Sequence, residues 1–181
     1  VFDPKRKRIV SWPYSNAAAS FAVTLDFPSR ALHAPPSGSL QSYYTLANYM
    51  AADDKYLVAR LQPFNGVWQM EVVDPDNLAN KVQTKQTGPM PPAGVLTFTW
   101  DESRRQWVGW DSADANLWIC QAPADPVNGT WVWSQRPYTA QDTIVKQTGV
   151  NHMFNRLHYI NALDSFICIA RVDGPIQFWK A

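Results

Sequence analysis

Hydrophobic and polar positions alternate in short runs along this chain, and the clearest set lies between Val95 and Ser134. Four apolar runs, Val95–Trp100, Gln106–Trp110, Asn116–Gln121 and Thr130–Ser134, are separated by turn chemistry: Asp-Glu-Ser-Arg-Arg, Asp-Ser-Ala-Asp, and Pro-Ala-Asp-Pro-Val-Asn-Gly. That spacing predicts a four-stranded antiparallel meander. In the first run Leu96, Phe98 and Trp100 alternate with Thr97 and Thr99, the period of two expected of a strand with unequal faces. The second run is less one-sided, since Val108 and Trp110 on one face answer Trp107 on the other, which predicts a sheet covered on both sides.

The same pattern recurs before and after. Phe2–Trp12 reads as a strand end, a charged turn and a second strand over Arg8–Trp12; Ser20–Phe27 and a weak strand over Arg30–Ala34 follow. Strands are then expected at Tyr43–Met50, Lys55–Leu61, Val67–Val73 and Lys81–Gln86, and, near the end, at Met153–Ile160, Ser165–Val172 and Ile176–Lys180. The proline-rich linkers 35–39 and 87–92, with a long connection after Gln135, divide the chain into blade-like units over residues 1–36, 42–87, 94–137 and 151–181. Laid over one another, the first hairpins share an aromatic or apolar strand end, a polar turn opening at Asp3, Ala51, Asp101 or Asn161, and an apolar residue six positions on, at Ile9, Leu57, Trp107 and Ile167. A period near 50 with four strands per unit is the spacing of propeller blades. The expected fold is therefore all-β, a β-propeller-like array of about four four-stranded antiparallel blades in a single domain, the first and last incomplete; a β-sandwich is the alternative.

The segment Phe2-Asp3-Pro4-Lys5-Arg6-Lys7-Arg8-Ile9-Val10-Ser11-Trp12, and Arg156-Leu157-His158-Tyr159-Ile160 through Phe178-Trp179, resemble kelch-like β-propeller repeats of bacterial and phage proteins, in which a strand ends in a D-P-x-x-x-R-type turn. The Gly-Gly doublet usual in such repeats is missing after Trp12 and Trp110. Because the first and last units each lack part of a blade, the chain is expected to be the carboxy-terminal part of a larger propeller or a partial propeller completed by another chain or segment, with a self-contained four-bladed ring as the rival; the resemblance implies an Arg at position 156 whether or not the protein has activity. An open arc of blades would leave a face and strand edges bare, so self-association or a protein partner is expected.

Composition narrows the function classes. Sixteen Lys and Arg balance fifteen Asp and Glu, which argues against nucleic acid as a partner; the run Lys5-Arg6-Lys7-Arg8 is expected to be a solvated turn. No apolar run is long enough to span a bilayer as a helix, and membrane insertion is not expected. Cys120 and Cys168 sit in apolar runs, as small buried residues or, alternatively, as an inter-sheet disulfide. No metal-ligand spacing or nucleophile motif is present, so no catalytic residue, metal or cofactor is expected. Asp101, Glu102, Asp111 and Asp114 could form a glycosidase carboxylate pair, but all fall in turns and read as solvated.

One polar group stands out: His152, Asn155, Arg156 and His158, on what would be the innermost strand of the last blade. Such a strand lines the central channel. Arg156 and His158 share a face by alternation, which suits an anionic or sugar-like ligand with Arg156 as bidentate donor; a structural Arg tying blades together is the competing reading. Tyr43 and Tyr44, with Tyr49, Trp131 and Trp133, could stack on sugar rings, although core packing suits each of them singly. Asn128-Gly129-Thr130 matches a glycosylation sequon and equally a hairpin turn, and the turn is preferred. The function expected on these grounds is a non-catalytic binding or assembly module, secreted by a bacterium or virion-associated as a phage tail or receptor-binding component, recognising a glycan or a protein. A carbohydrate-active propeller enzyme, glycosidase or lyase, with its site completed elsewhere, is the alternative.

Overall fold

The computed structural model describes residues 1–11, 23–27, 29, 32–33, 44–61, 68–91, 96–111, 116–137, 157–169 and 176–180. These residues are all-β, in several small, mostly antiparallel sheets, and they divide into two compact units, Val1–Thr84 and Lys85–Ala181. Among them no helix is long and apolar enough to cross a membrane.

In the first unit, strands β1 (Phe2–Asp3), β2 (Arg8–Ser11), β3 (Val23–Asp26) and β4 (Leu32–His33) form sheet 1 in sequence order. Strands β5 (Tyr44–Met50), β6 (Lys55–Leu61), β7 (Trp68–Val73) and β8 (Lys81–Gln83) form sheet 2 in the same way. Val10 of sheet 1 is packed against Tyr56, Val58 and Val73 of sheet 2, with Tyr49 and Ala47 at the margin. The strand expected over 81–86 is broken at Thr84. Thr84 is buried, and its backbone N–H and its hydroxyl both donate to the carbonyl of Met70 in β7, at 2.9 and 3.2 Å, just past the last ladder pair Glu71↔Gln83.

In the second unit, strands β10 (Leu96–Asp101), β11 (Gln106–Asp111), β12 (Asn116–Gln121) and β13 (Thr130–Pro137) make the meander of sheet 3. Strand β9 (Lys85–Thr87) lies parallel to β13 at its outer edge, and Gln86 accepts a hydrogen bond from the Trp133 indole at 2.7 Å. Gly88 follows with a φ of 91° and lies against the Trp133 backbone, where a side chain has no room. Sheet 4 has three described strands, β14 (Leu157–Ile160), β15 (Ser165–Ile169) and β16 (Ile176–Lys180), with one 3₁₀ turn at Asn161–Leu163.

Both faces of sheet 3 are covered. Phe98, Trp100, Trp107, Trp131 and Trp133 are buried on one face, Phe98 stacking on Trp107 with ring centroids 4.4 Å apart. On the other, Val108, Trp110 and Leu117 pack with Leu157, Phe166 and Cys168 of sheet 4. The tryptophans of the meander are therefore packing residues, as expected from the two-sided pattern. Both cysteines are buried and form no disulfide, and burial raises the Cys120 thiol pKa. Thr97 and Thr99 are buried too, because their hydroxyl oxygens accept the N–H groups of Leu157 and Tyr159 at 3.3 and 3.0 Å. The first strands of two neighbouring sheets are thereby tied side by side.

The four first hairpins repeat in detail. Each pairs strand ends across a four-residue loop, at Asp3↔Arg8, Met50↔Lys55, Asp101↔Gln106 and Ile160↔Ser165. The last loop residue is left-handed every time: Lys7, Asp54, Arg105 and Asp164, with φ between 45° and 51°. Non-glycine residues rarely adopt this conformation, so its fourfold recurrence marks one loop design rather than four accidents. The structure also shifts the alignment of the repeats by one residue. Asp3 and Asp101 correspond to Met50 and Ile160, not to Ala51 and Asn161.

Candidate functional site

The densest polar constellations sit on these loops. In sheet 1 the Arg6 guanidinium donates to both oxygens of Asp54 on the neighbouring sheet, at 2.7 and 3.0 Å, and to both oxygens of Asp76 at the same two distances. Its backbone N–H and Nη1 bond Asp3, at 3.0 and 3.3 Å. Lys5 also bonds Asp54, and Arg8 reaches the Tyr56 hydroxyl and the Pro75 carbonyl. The basic run is thus not a solvated turn: three of its four cations are engaged, and Arg6 is largely buried by what it holds.

The second unit repeats the device. Arg104 donates to both oxygens of Asp164 on sheet 4, at 2.7 and 3.0 Å, while its N–H and Nη1 bond Asp101, both at 3.1 Å. Tyr49 and Tyr159 occupy matching positions and donate to Asp54 and Asp164, at 2.8 and 2.7 Å. Bidentate Arg–carboxylate pairing of this kind fixes orientation as well as separation, so each lock sets the register of one sheet on the next.

The electrostatics follow from these partners. Hydrogen bonds from Arg6, with help from Lys5 and Tyr49, hold the Asp54 carboxyl well below the usual carboxylate range. Arg104 and Tyr159 do the same for Asp164. Burial, reinforced by the Asp54 carboxylate, pushes the Tyr49 phenol up to about 12. Burial and the hydrogen bond to Asp3 at 2.5 Å raise that of Tyr56.

Groups committed in this way are poor candidates for chemistry. Asp101 is fully buried, and besides Arg104 it accepts from Ser103 and Gln106 at 2.8 and 3.0 Å; it is a loop anchor rather than a solvated turn residue. Glu102 accepts the Trp100 indole N–H at 2.6 Å. The side chain of Asp111, and Asp114 altogether, lie outside the described residues. No group of three or more His, Cys, Asp or Glu among the described residues could hold a metal ion.

The expected ligand residues are only partly visible. His152, Asn155, Arg156 and Tyr43 lie outside the described residues, and Tyr44 opens β5 opposite Leu61 with its side chain likewise outside them. His158 is exposed on β14, between buried Leu157 and half-buried Tyr159. Trp131 and Trp133 are buried in the core, so neither is a sugar platform. The sequon segment is a turn: Asp125 accepts the N–H groups of Val127 and Asn128 and the Asn128 amide, and Gly129 N–H bonds the Asp125 carbonyl. The locks escaped sequence reading because each half is an ordinary turn residue. The one available signal was the spacing Asp-x-x-Arg shared by Asp3/Arg6 and Asp101/Arg104.

No family model matches the chain, and no curated protein matches it. Among solved structures it is similar to a Bacteroides uniformis protein provisionally named a 6-phosphogluconolactonase, with 15% identity and a TM-score of 0.46. That match covers 100% of this chain and 56% of the other, so the chain spans little more than half of that structure. The expectation of a non-catalytic binding or assembly module of the tail or receptor-binding kind is corrected here. The solved structure bears the name of an enzyme, and no family model or curated relative ties the chain to a tail or receptor-binding protein.

Proposed function

We propose that the chain supplies blades to a propeller-type enzyme acting on a small anionic or sugar-like molecule, taken at the end of the inner strands by Arg156 and His158. The observation that carries this reading is the exposed imidazole of His158 on β14, the first strand of its sheet, alongside β10. Arg156 lies outside the described residues, and its place beside His158 is the expectation from the sequence alternation alone. The pairing suits the ligand class. Arg binds a carboxylate or phosphate through two parallel hydrogen bonds, and a neighbouring imidazole adds a further hydrogen-bonding group. The locks also favour this assignment by elimination, since Arg6 and Arg104 are spent on holding sheets together.

The test is turnover by the longest natural form of the protein against phosphorylated sugars, sugar acids and glycosides. Arg156→Ala and His158→Ala are expected to lower kcat/KM by roughly 100-fold or more, with thermal unfolding unchanged. Binding without turnover, or turnover indifferent to both substitutions, would overturn the proposal.

A further inference from the structure

The turn between β12 and β13 carries chemistry that neither the locks nor the ligand strand use. Asn128 is followed by Gly129, and asparagine before glycine is the pair most prone to lose its side-chain amide, because glycine leaves its own N–H unshielded. In that reaction the Gly129 N–H gives its proton to water and the nitrogen attacks Cγ of Asn128. The Cγ–Nδ2 bond breaks and ammonia leaves. Water then opens the succinimide ring at either carbonyl, giving aspartate or isoaspartate, and water is the only co-reactant.

The turn itself requires this pair. A Cβ at position 129 would lie 2.5 Å from Cβ of Pro123 and 2.6 Å from the Asp125 carbonyl oxygen, so the turn has room only for glycine. Asn128 supplies a donor: its Nδ2 bonds Oδ2 of Asp125 at 2.8 Å, while the N–H groups of Val127 and Asn128 bond Oδ1 at 2.9 and 3.1 Å. Trp131 pins the turn to the core, its buried indole N–H donating to the Pro126 carbonyl at 3.0 Å.

The same bonds oppose the reaction. The N–H of the attacking atom is held by the Asp125 carbonyl at 2.9 Å, and the leaving nitrogen is tied to the Asp125 carboxylate. That carboxylate also disfavours the amide anion from which attack proceeds. Asn128 is exposed, so it is these bonds, and not exclusion of water, that withhold the chemistry.

We propose that Asn128 is a latent deamidation site, closed while Asp125 clamps the turn and open once the turn is released. The product sets a carboxylate where Nδ2 now donates to Asp125, so two acceptors face each other. Isoaspartate also lengthens the backbone by one carbon, and the turn cannot re-form as it was. The change is one-way and marks chains whose β12–β13 turn has opened.

Incubation of the 181-residue chain at mildly alkaline pH, followed by peptide mass spectrometry, tests this. In urea, conversion is expected at Asn128 and also at Asn65, which stands in the other Asn-Gly pair of the sequence. In the folded chain the rate at Asn128 is expected to be lower than in urea by about tenfold or more. Asp125→Asn keeps an acceptor for the backbone N–H groups but sets an amide against Nδ2 of Asn128, and is expected to raise the folded rate by about tenfold. Asp125→Ala is expected to raise it at least as much; if that variant lowers the unfolding temperature, Asp125→Asn decides. Asn128→Ser is expected to remove the product, which assigns it to this position. Equal rates in the folded and urea-unfolded chain, or a folded rate indifferent to Asp125→Asn, would contradict the proposal.

Discussion

Trp107 is the best place to test whether the tryptophans hold the fold. It is fully buried, stacked on Phe98 at 4.4 Å with 23° between the rings, and paired across the ladder with Trp100 and Cys120. Trp107→Ala removes roughly 150–200 Å² of buried surface, worth about 4–5 kcal/mol at about 25 cal/mol per Å². That figure agrees with the ~3–5 kcal/mol typical of large aromatic truncations in cores. Neighbours cannot close the gap cheaply, since Phe98 is itself held by Trp133 at 5.9 Å. Urea unfolding followed by far-ultraviolet circular dichroism, which does not depend on the lost indole, is expected to show a midpoint lower by roughly 2 M at a slope of about 2 kcal/mol/M. Val132→Ala is the control, on the same sheet but 46% exposed, and is expected to cost less than about 0.5 kcal/mol. A Trp107→Ala loss below about 1 kcal/mol, or one no larger than the control, would refute the packing argument.

Gly109→Ala probes the same core from the opposite direction. The new Cβ would lie 2.2 Å from Cε1 of Phe98, a ring that cannot retreat, and a loss of about 1–3 kcal/mol or more by the same unfolding assay is expected. The locks predict acid sensitivity. Asp54 and Asp164 have depressed pKa values when folded, so their stabilisation is present above the unfolded carboxylate range near about 4 and is lost as pH falls below it. Asp54→Asn is expected to be less stable at neutral pH and to lose less on acidification, as read from unfolding midpoints across pH. At the alkaline end Tyr49 acts with the opposite sign: stability from its protonated form holds below about 10 and is lost as pH rises toward about 12. Lys7→Gly is expected to stabilise by about 0.5–1 kcal/mol in thermal unfolding, because Lys7 is exposed and left-handed, and glycine relieves that strain at a smaller entropic cost.

Strand positions were legible because alternation and turn residues act locally. Lys55–Leu61, Asn116–Gln121 and Ile176–Lys180 stand where their pattern puts them. The repeat register was less legible, since the turns are aligned by where their small and polar residues begin: Ala51, opening Ala-Ala-Asp-Asp, and Asn161 fall in line with Asp3 and Asp101 as loop openers. Backbone conformation, not side-chain type, defines the loop, and the left-handed residue shows the true match. Asp3 and Asp101 are strand-end acceptors buried under an arginine, a role for which Met50 and Ile160 have no counterpart chemistry. The candidate ligand site was legible as a sequence cluster, of which His158 is the described member.

What the sequence by itself determined is the all-β class, the hairpin spacing and the two-sided burial of the tryptophan-rich meander. These depend on periods of two and on turn propensities, which operate over a few residues. What only the tertiary structure decided is how charged turns are used. Nothing within Lys5-Arg6-Lys7-Arg8 or Ser103-Arg104-Arg105 says that Arg6 will meet Asp54 or that Arg104 will meet Asp164, 48 and 60 residues away. Such partners are chosen by the packing of one sheet on the next. A turn arginine left in water and one locked in a bidentate pair are spelled alike until that packing brings a carboxylate to it.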